Sequence, residues 1–157
     1  MIDRLARGQQ EEDDEMTGPS LGVLLFLPYR HLEQQVLTAV NDAGFPITLA
    51  QARLFQRIDD RGSRLTALAE SAQLAKQSAA YLVAELVAAG YLTRSPDPSD
   101  GRAQLITITV RGRQVIDLAR RVEQQVQAQW RTHLGAETYD QLHTALLQLR
   151  EITDPFR

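Results

Sequence analysis

The 157-residue chain contains no cysteine, which excludes disulfide staples, thiolate zinc sites, iron–sulfur clusters and peroxide sensing through a thiol. Its fold must rest on an apolar core. No stretch approaches the ~20 uninterrupted apolar residues that span a bilayer, and the short runs at residues 23–27 and 79–84 read as patches of helix core. Residues 1–19 hold no apolar run with basic flanks and no small-residue cleavage signature, so a cytoplasmic protein is expected, without a membrane partner. Glycine-rich phosphate cradles and internal repeats are also missing. His31, His133 and His143 fall in separate helical segments without carboxylates at metal or triad spacing. They read as surface histidines, and neither a metal site, a cofactor nor an enzyme is expected. What remains, 43% apolar and 24% charged residues, suits one compact domain with a dimerisation appendage.

The formal charge of −3 argues at first against a polyanionic partner, but charge is unevenly placed. Residues 1–15 carry Asp3, Glu11, Glu12, Asp13, Asp14 and Glu15 against Arg4 and Arg7, leaving the rest of the chain at +1. Between Arg61 and Arg113, seven basic residues face four acidic ones, enough for a modest basic face. The acidic stretch, residues 1–19, reads as a solvated tail, because a like-charged block with little apolar content cannot bury enough surface to order itself.

Along the chain, Ser20 caps a helix whose apolar residues recur at helical spacing to residue 41, and Pro28 is expected to bend or restart it. Thr48 and Gln51 form a capping-box pattern at the start of a second helix reaching about Ile58. Ser63 is placed to cap a short third helix, and Gln73 with Leu74 marks a tight connection. A fourth helix over residues 76–89 ends at Gly90. The period then changes. Residues 91–94 and 105–110 read as paired strands around a polar tip, residues 95–102, in which Asp100 and Gly101 supply the reversal and two prolines oppose regular structure. From Gly112 a helix of about 20 residues follows, then another from Gly135 to about Ile152.

Three short helices, a fourth and a hairpin are the order of a winged helix-turn-helix. Residues 65–78, the segment 82–94 ending Leu-Val-Ala-Ala-Gly-Tyr-Leu-Thr-Arg, and the run 97–102 ending Asp-Gly-Arg resemble the MarR family of bacterial transcriptional regulators. The resemblance spans roughly residues 21–153. It implies a mainly α fold with a small β-hairpin wing: a winged helix-turn-helix over residues 44–112, and dimerisation helices at 20–43 and 113–153. It implies a homodimeric regulator of double-stranded DNA, acting as a repressor that a small molecule, commonly an anionic aromatic, releases. Three positions depart from the family pattern: Ala75 stands where a capping Asp or Ser is common, and Ala80 and Tyr81 where Thr and Arg are common.

Physical reasoning places Lys76, Gln77, Ser78 and Tyr81 on the groove-facing side of the fourth helix, with Ser63 nearby and Arg102 at the wing for the minor groove. Lys76 suits a phosphate and Gln77 an adenine. Asp100, an anion, is assigned to holding the wing by pairing with Arg94 or Arg102, as the family pattern implies. Tyr29, Arg30, His31, Arg53 and Trp130 are of the types that line an effector crevice, although Tyr29 and Trp130 equally suit an interface core. The outer helices carry more apolar surface than a wing domain can cover, which suits a two-fold dimer on a pseudo-palindromic site. The competing expectation is a winged-helix protein-interaction module with little specific DNA binding, for which the near-neutral charge and the missing Arg at position 81 speak.

Overall fold

The computed structural model describes residues 18–154, in which helices α1 (Leu21–Asp42), α2 (Leu49–Phe55), α3 (Leu65–Ser71), α4 (Lys76–Ala88), α5 (Val110–Leu134) and α6 (Ala136–Thr153) accompany strands β1 (Ser63–Arg64), β2 (Leu92–Asp97) and β3 (Asp100–Ile108). The acidic tail expected at residues 1–19 lies, but for its last two residues, outside them. The chain forms two compact units that meet within α1, at Gln34 and Gln35.

In the first unit, Ser20 caps α1 as its sequence suggests, its Oγ accepting the Val23 N–H at 3.4 Å. Pro28 does not restart the helix, which runs on through it from Leu21 to Asp42. Proline removes only the bond to the Leu24 carbonyl, and in this exposed stretch water can take that bond's place.

The second unit holds the core. Val40 from the end of α1, Leu54 and Phe55 from α2, Leu68 from α3, Val83 and Leu86 from α4, Leu92, Ile106 and Val115 form one buried cluster around the nearly inaccessible Tyr91. Each helix contributes an apolar stripe at spacings of three and four, so the short helices gain stability from packing rather than from propensity. Thr48 and Gln51 make the capping box: the Thr48 hydroxyl accepts from the Gln51 N–H, and the Gln51 Oε1 accepts from the Thr48 N–H.

Helices α1, α3 and α4 end in the same way, with the second residue after the C-cap bonded five positions back. The bonds are Phe45 N–H to Val40 O, Leu74 N–H to Ala69 O and Tyr91 N–H to Leu86 O. Gly90 supplies the left-handed residue after α4 at φ 76°, whereas Gln73 takes φ 54° in the turn between α3 and α4. The tight connection expected at Gln73 and Leu74 is therefore a helix C-cap built without glycine.

The sheet has three strands in the order β1-β3-β2, all antiparallel, instead of the two-stranded hairpin expected. Ser63 belongs to β1, opposite Ile106, and does not cap α3. Its buried hydroxyl accepts the Asp59 N–H at 3.0 Å, and the cap position is Arg64, with no side-chain cap bond. The hairpin is also tighter than its prolines suggest. β2 runs through Pro96 to Asp97, which an edge strand tolerates because an outward-facing N–H is not needed. The reversal falls at Pro98 and Ser99. Asp100 and Gly101 instead open β3, and the register shifts between Pro96 and Asp97, leaving extra residues on β3.

Beyond the sheet, the Thr109 side chain caps α5 by accepting from Gly112 N–H. α6 packs on α5 after the turn at Gly135. Arg131 clamps that turn, bonding both Asp140 carboxylate oxygens at 2.6 and 3.1 Å and lying over the Tyr139 ring.

Candidate nucleic-acid interface

α3 and α4, joined through Gln73, form a helix-turn-helix. Ala79, Val83 and Leu86 fix the inner side of α4 to the core, which turns Lys76, Gln77, Ser78 and Tyr81 outward. Ala75, the cap residue, has no side-chain acceptor, so the first backbone bond of the helix is Ala79 N–H to Ala75 O and no side chain caps the N–H groups before it. The side chains of Lys76, Gln77 and Ser78 are exposed and make no hydrogen bond or ion pair among the described residues. Their donors are available to a ligand.

Tyr81 lies on the outward side of α4 but is not a free hydroxyl. It is 64% exposed and thus not packed, and its hydroxyl is already engaged, donating to Glu85 Oε1 at 2.7 Å one turn on. Glu85 in turn accepts the Gln51 Nε2 donor on its other oxygen at 3.0 Å. Through this carboxylate the Tyr81 phenol is held above its ordinary pKa, by the hydrogen bond first and by the negative charge second. Neither Glu85 nor its link to α2 was identified from sequence, since nothing in the pattern pairs residues 51 and 85.

The wing is held by a different pair from the one expected. Arg94 and Arg102 are exposed and form no ion pair among the described residues. Asp100 uses its Oδ1 locally, accepting the Arg102 N–H at 3.1 Å, and its Oδ2 lies 3.9 Å from Arg64. The stronger contact is between Arg64 on β1 and Asp97 at the end of β2. Arg64 Nε and Nη2 lie 2.7 and 2.6 Å from Asp97 Oδ2, while Asp97 Oδ1 accepts both the backbone N–H and the hydroxyl of Ser99. These bonds, those from Ser99 first, lower the Asp97 carboxyl to about 2. The correction follows from β1: once residues 63 and 64 pair with β3, Arg64 is carried to the wing tip, and a two-residue strand leaves no periodic signal.

Of the crevice residues, Tyr29, Arg30 and His31 are exposed on the first unit's part of α1, where Tyr29 donates to Glu33 and Arg30 lies over Phe26. In the second unit, Arg53 is exposed at the end of α2 and Trp130 is half-buried on α5. Among the described residues, no group of three or more metal-ligating side chains comes together, and no helix is long and apolar enough to cross a membrane.

Comparison with known proteins agrees with this geometry. Residues 45–103, from the end of α1 through the wing tip, match the family model described as MarR family. An uncharacterised helix-turn-helix-type transcriptional regulator of Mycobacterium leprae is 26% identical over 110 residues, covering 69% of this chain and 77% of the relative. The crystal structure of transcriptional regulator Tm0710 from Thermotoga maritima superposes with a TM-score of 0.62 at 29% identity, covering 83% of this chain and 92% of its own. CouR from Rhodococcus jostii, bound to p-coumaroyl-CoA, shares the fold at 22% identity with a TM-score of 0.65, covering 88% and 94%. With its helix-turn-helix, three-stranded wing and flanking long helices, the chain is similar to the MarR family of winged helix-turn-helix transcriptional regulators, whose family model residues 45–103 match.

Proposed function

We propose that the chain is a homodimeric, DNA-binding repressor that sets α4 in the major groove and Arg102 of the wing in an adjacent minor groove. One observation carries this reading. The outward side chains on the first turn of α4 and the wing arginine are polar groups that the fold leaves uncommitted among the described residues. Lys76 supplies charge for a phosphate, Gln77 and Ser78 supply donors and acceptors for base edges, and a guanidinium such as that of Arg102 is drawn to the negative potential of a narrow groove. Arg64 does not join them, because Asp97 holds it.

Dimerisation is supported by apolar surface that the single chain leaves open. On α1, Leu21, Leu24 and Phe26 are at least half exposed, and α6 has no buried residue although Leu142, Leu146 and Leu149 recur along it. Surfaces of this kind mark contact with another chain. A two-fold pairing would place two copies of α4 about 34 Å apart, one turn of DNA, on a pseudo-palindromic site. A dimer seated on a promoter excludes polymerase without further contacts, which favours repression. CouR, a structural neighbour bound to p-coumaroyl-CoA, supports an anionic aromatic as the releasing ligand.

The test is fluorescence anisotropy on the intergenic DNA beside the chain's own gene, in a salt series, with sedimentation of the free protein alongside. With Lys76 at a phosphate and Arg102 in the minor groove, from each of two copies, displacing counterions, log K should fall with log salt at a slope of about −4, and Arg102→Ala should reduce that slope by about 2. A monomer at micromolar concentration would refute the dimer. If random-sequence selection also yields no bound DNA, the winged helix is a protein-contact module.

A further inference from the structure

Resting on the DNA-binding reading, we infer that Tyr81 and Glu85 form an acceptor-only reading head on α4, selecting a base-edge amino group, cytosine N4 or adenine N6, and refusing both phosphate and guanine. The argument is one of hydrogen-bond polarity. The Thr48 N–H can only donate, so the Gln51 amide must turn its oxygen to Thr48, 2.8 Å away. Its nitrogen therefore faces Glu85 Oε2 at 3.0 Å and donates to it. The ionised carboxylate can only accept, so the one hydroxyl proton of Tyr81 is directed to Glu85 Oε1 at 2.7 Å. Every donor in the chain points the same way, from the cap of α2 to the exposed side of α4.

At the outer end, the Tyr81 oxygen keeps only lone pairs. A phosphate oxygen also only accepts, and the nearby Glu85 charge repels it, so Tyr81 cannot serve as the phosphate ligand that an arginine at this position would be. In the major groove, guanine presents N7 and O6 acceptors and thymine an O4 acceptor with a methyl group, whereas cytosine N4 and adenine N6 donate. The pair thus discriminates which strand of a base pair faces it. Gln51 is a positioning residue here, fixing Glu85, which is half-buried and lies behind the 64%-exposed ring.

The test uses the full-length protein and DNA selected from random sequence with the wild type, Tyr81→Phe and Glu85→Gln, each first shown to melt within a few degrees of the wild type. The wild type should hold one base pair in each half-site with about ten-fold preference. Both variants should relax that position to about two-fold while keeping the rest of the site. Glu85→Gln, which frees the hydroxyl to donate and removes a negative charge, should also raise binding to random DNA. At that position, a cytosine or adenine analogue lacking the exocyclic amino group should weaken wild-type binding about ten-fold and leave Tyr81→Phe unaffected. Where the selected base is cytosine, a 7-deaza purine in place of the paired guanine should change neither. Motifs identical in all three proteins, or sensitivity to the 7-deaza purine and not to the missing amino group, would overturn the Tyr81 assignment alone. A wild type that selects no sequence would overturn the DNA reading with it.

Discussion

Replacing Gly112 by alanine tests how the wing is joined to α5. Gly112 is the third residue of α5, and a Cβ built there would run into the Tyr91 carbonyl oxygen and stand 2.8 Å from Ile108 Cγ2 and 3.1 Å from Phe55 Cζ. The first of these neighbours is backbone and cannot swing aside. The same carbonyl accepts from the Thr109 N–H and lies 3.0 Å from the Thr109 hydroxyl, so moving it loosens bonds worth about 1 kcal/mol each. Overpacking against Ile108 and Phe55 adds about 1–3 kcal/mol, and the better helix propensity of alanine returns about 1 kcal/mol. The net expectation is a loss of about 2–4 kcal/mol from a domain whose whole stability is of order 5–15 kcal/mol. Urea unfolding should show a lower midpoint at unchanged slope. Gly101→Ala is the control, because nothing lies within 4 Å of its Cβ, and it should stay within about 0.5 kcal/mol. A loss below about 1 kcal/mol for Gly112→Ala would refute the close-approach argument.

Ala75→Ser should stabilise α4 by about 1 kcal/mol in thermal melts, since the cap position lacks an acceptor, yet weaken DNA binding if those N–H groups meet a phosphate; an unchanged melting temperature would refute the first half. Gln73→Gly should add about 0.5–1 kcal/mol by relieving a left-handed φ of 54°, and a destabilised variant would show that the Gln73 side chain matters more than its backbone. For Asp97, the folded pKa of about 2 lies below the ordinary 3.8. A lowered carboxyl pKa means the stabilisation is whole above about pH 4 and is lost as pH falls towards 2. Asp97→Asn should therefore flatten the acid limb of stability in that window, and matching limbs in both proteins would remove Asp97 as its source.

Most helix ends were legible because they are local: the Thr48 and Gln51 box, the Gly90 stop and the outward set on α4 each depend on residues within one or two turns, whereas Ser63, expected as a cap, is drawn into β1 by pairing with Ile106. At Pro28 the helix does not restart, since proline costs it one bond and a long exposed helix absorbs that loss. The wing shows where local reading ends. Pro96 is compatible with a strand only because β2 is an edge, and Arg64 reaches Asp97 only because β1 pairs with β3 across more than thirty residues. Glu85 was invisible for a related reason, as its partner Gln51 lies on another helix and had already been assigned to a cap.

Those long-range joints decide what the wing moves with. Its tip is tied through Arg64 to β1, which leads directly into α3, and its base through Thr109 to Gly90 and Tyr91, which close α4. Gln51 and Glu85 bind α2 to α4 in turn. The wing, α3 and α4 are thus fastened at both ends by charged or buried hydrogen bonds, and separating Arg102 from Lys76 would require breaking them. On the proposed reading, a ligand then acts at less cost by changing the spacing between two such units than by reshaping either one. Its effect should fall on Lys76 and Arg102 contacts together, so a ligand that abolished the Arg102 contribution while sparing that of Lys76 would contradict a rigid reading unit.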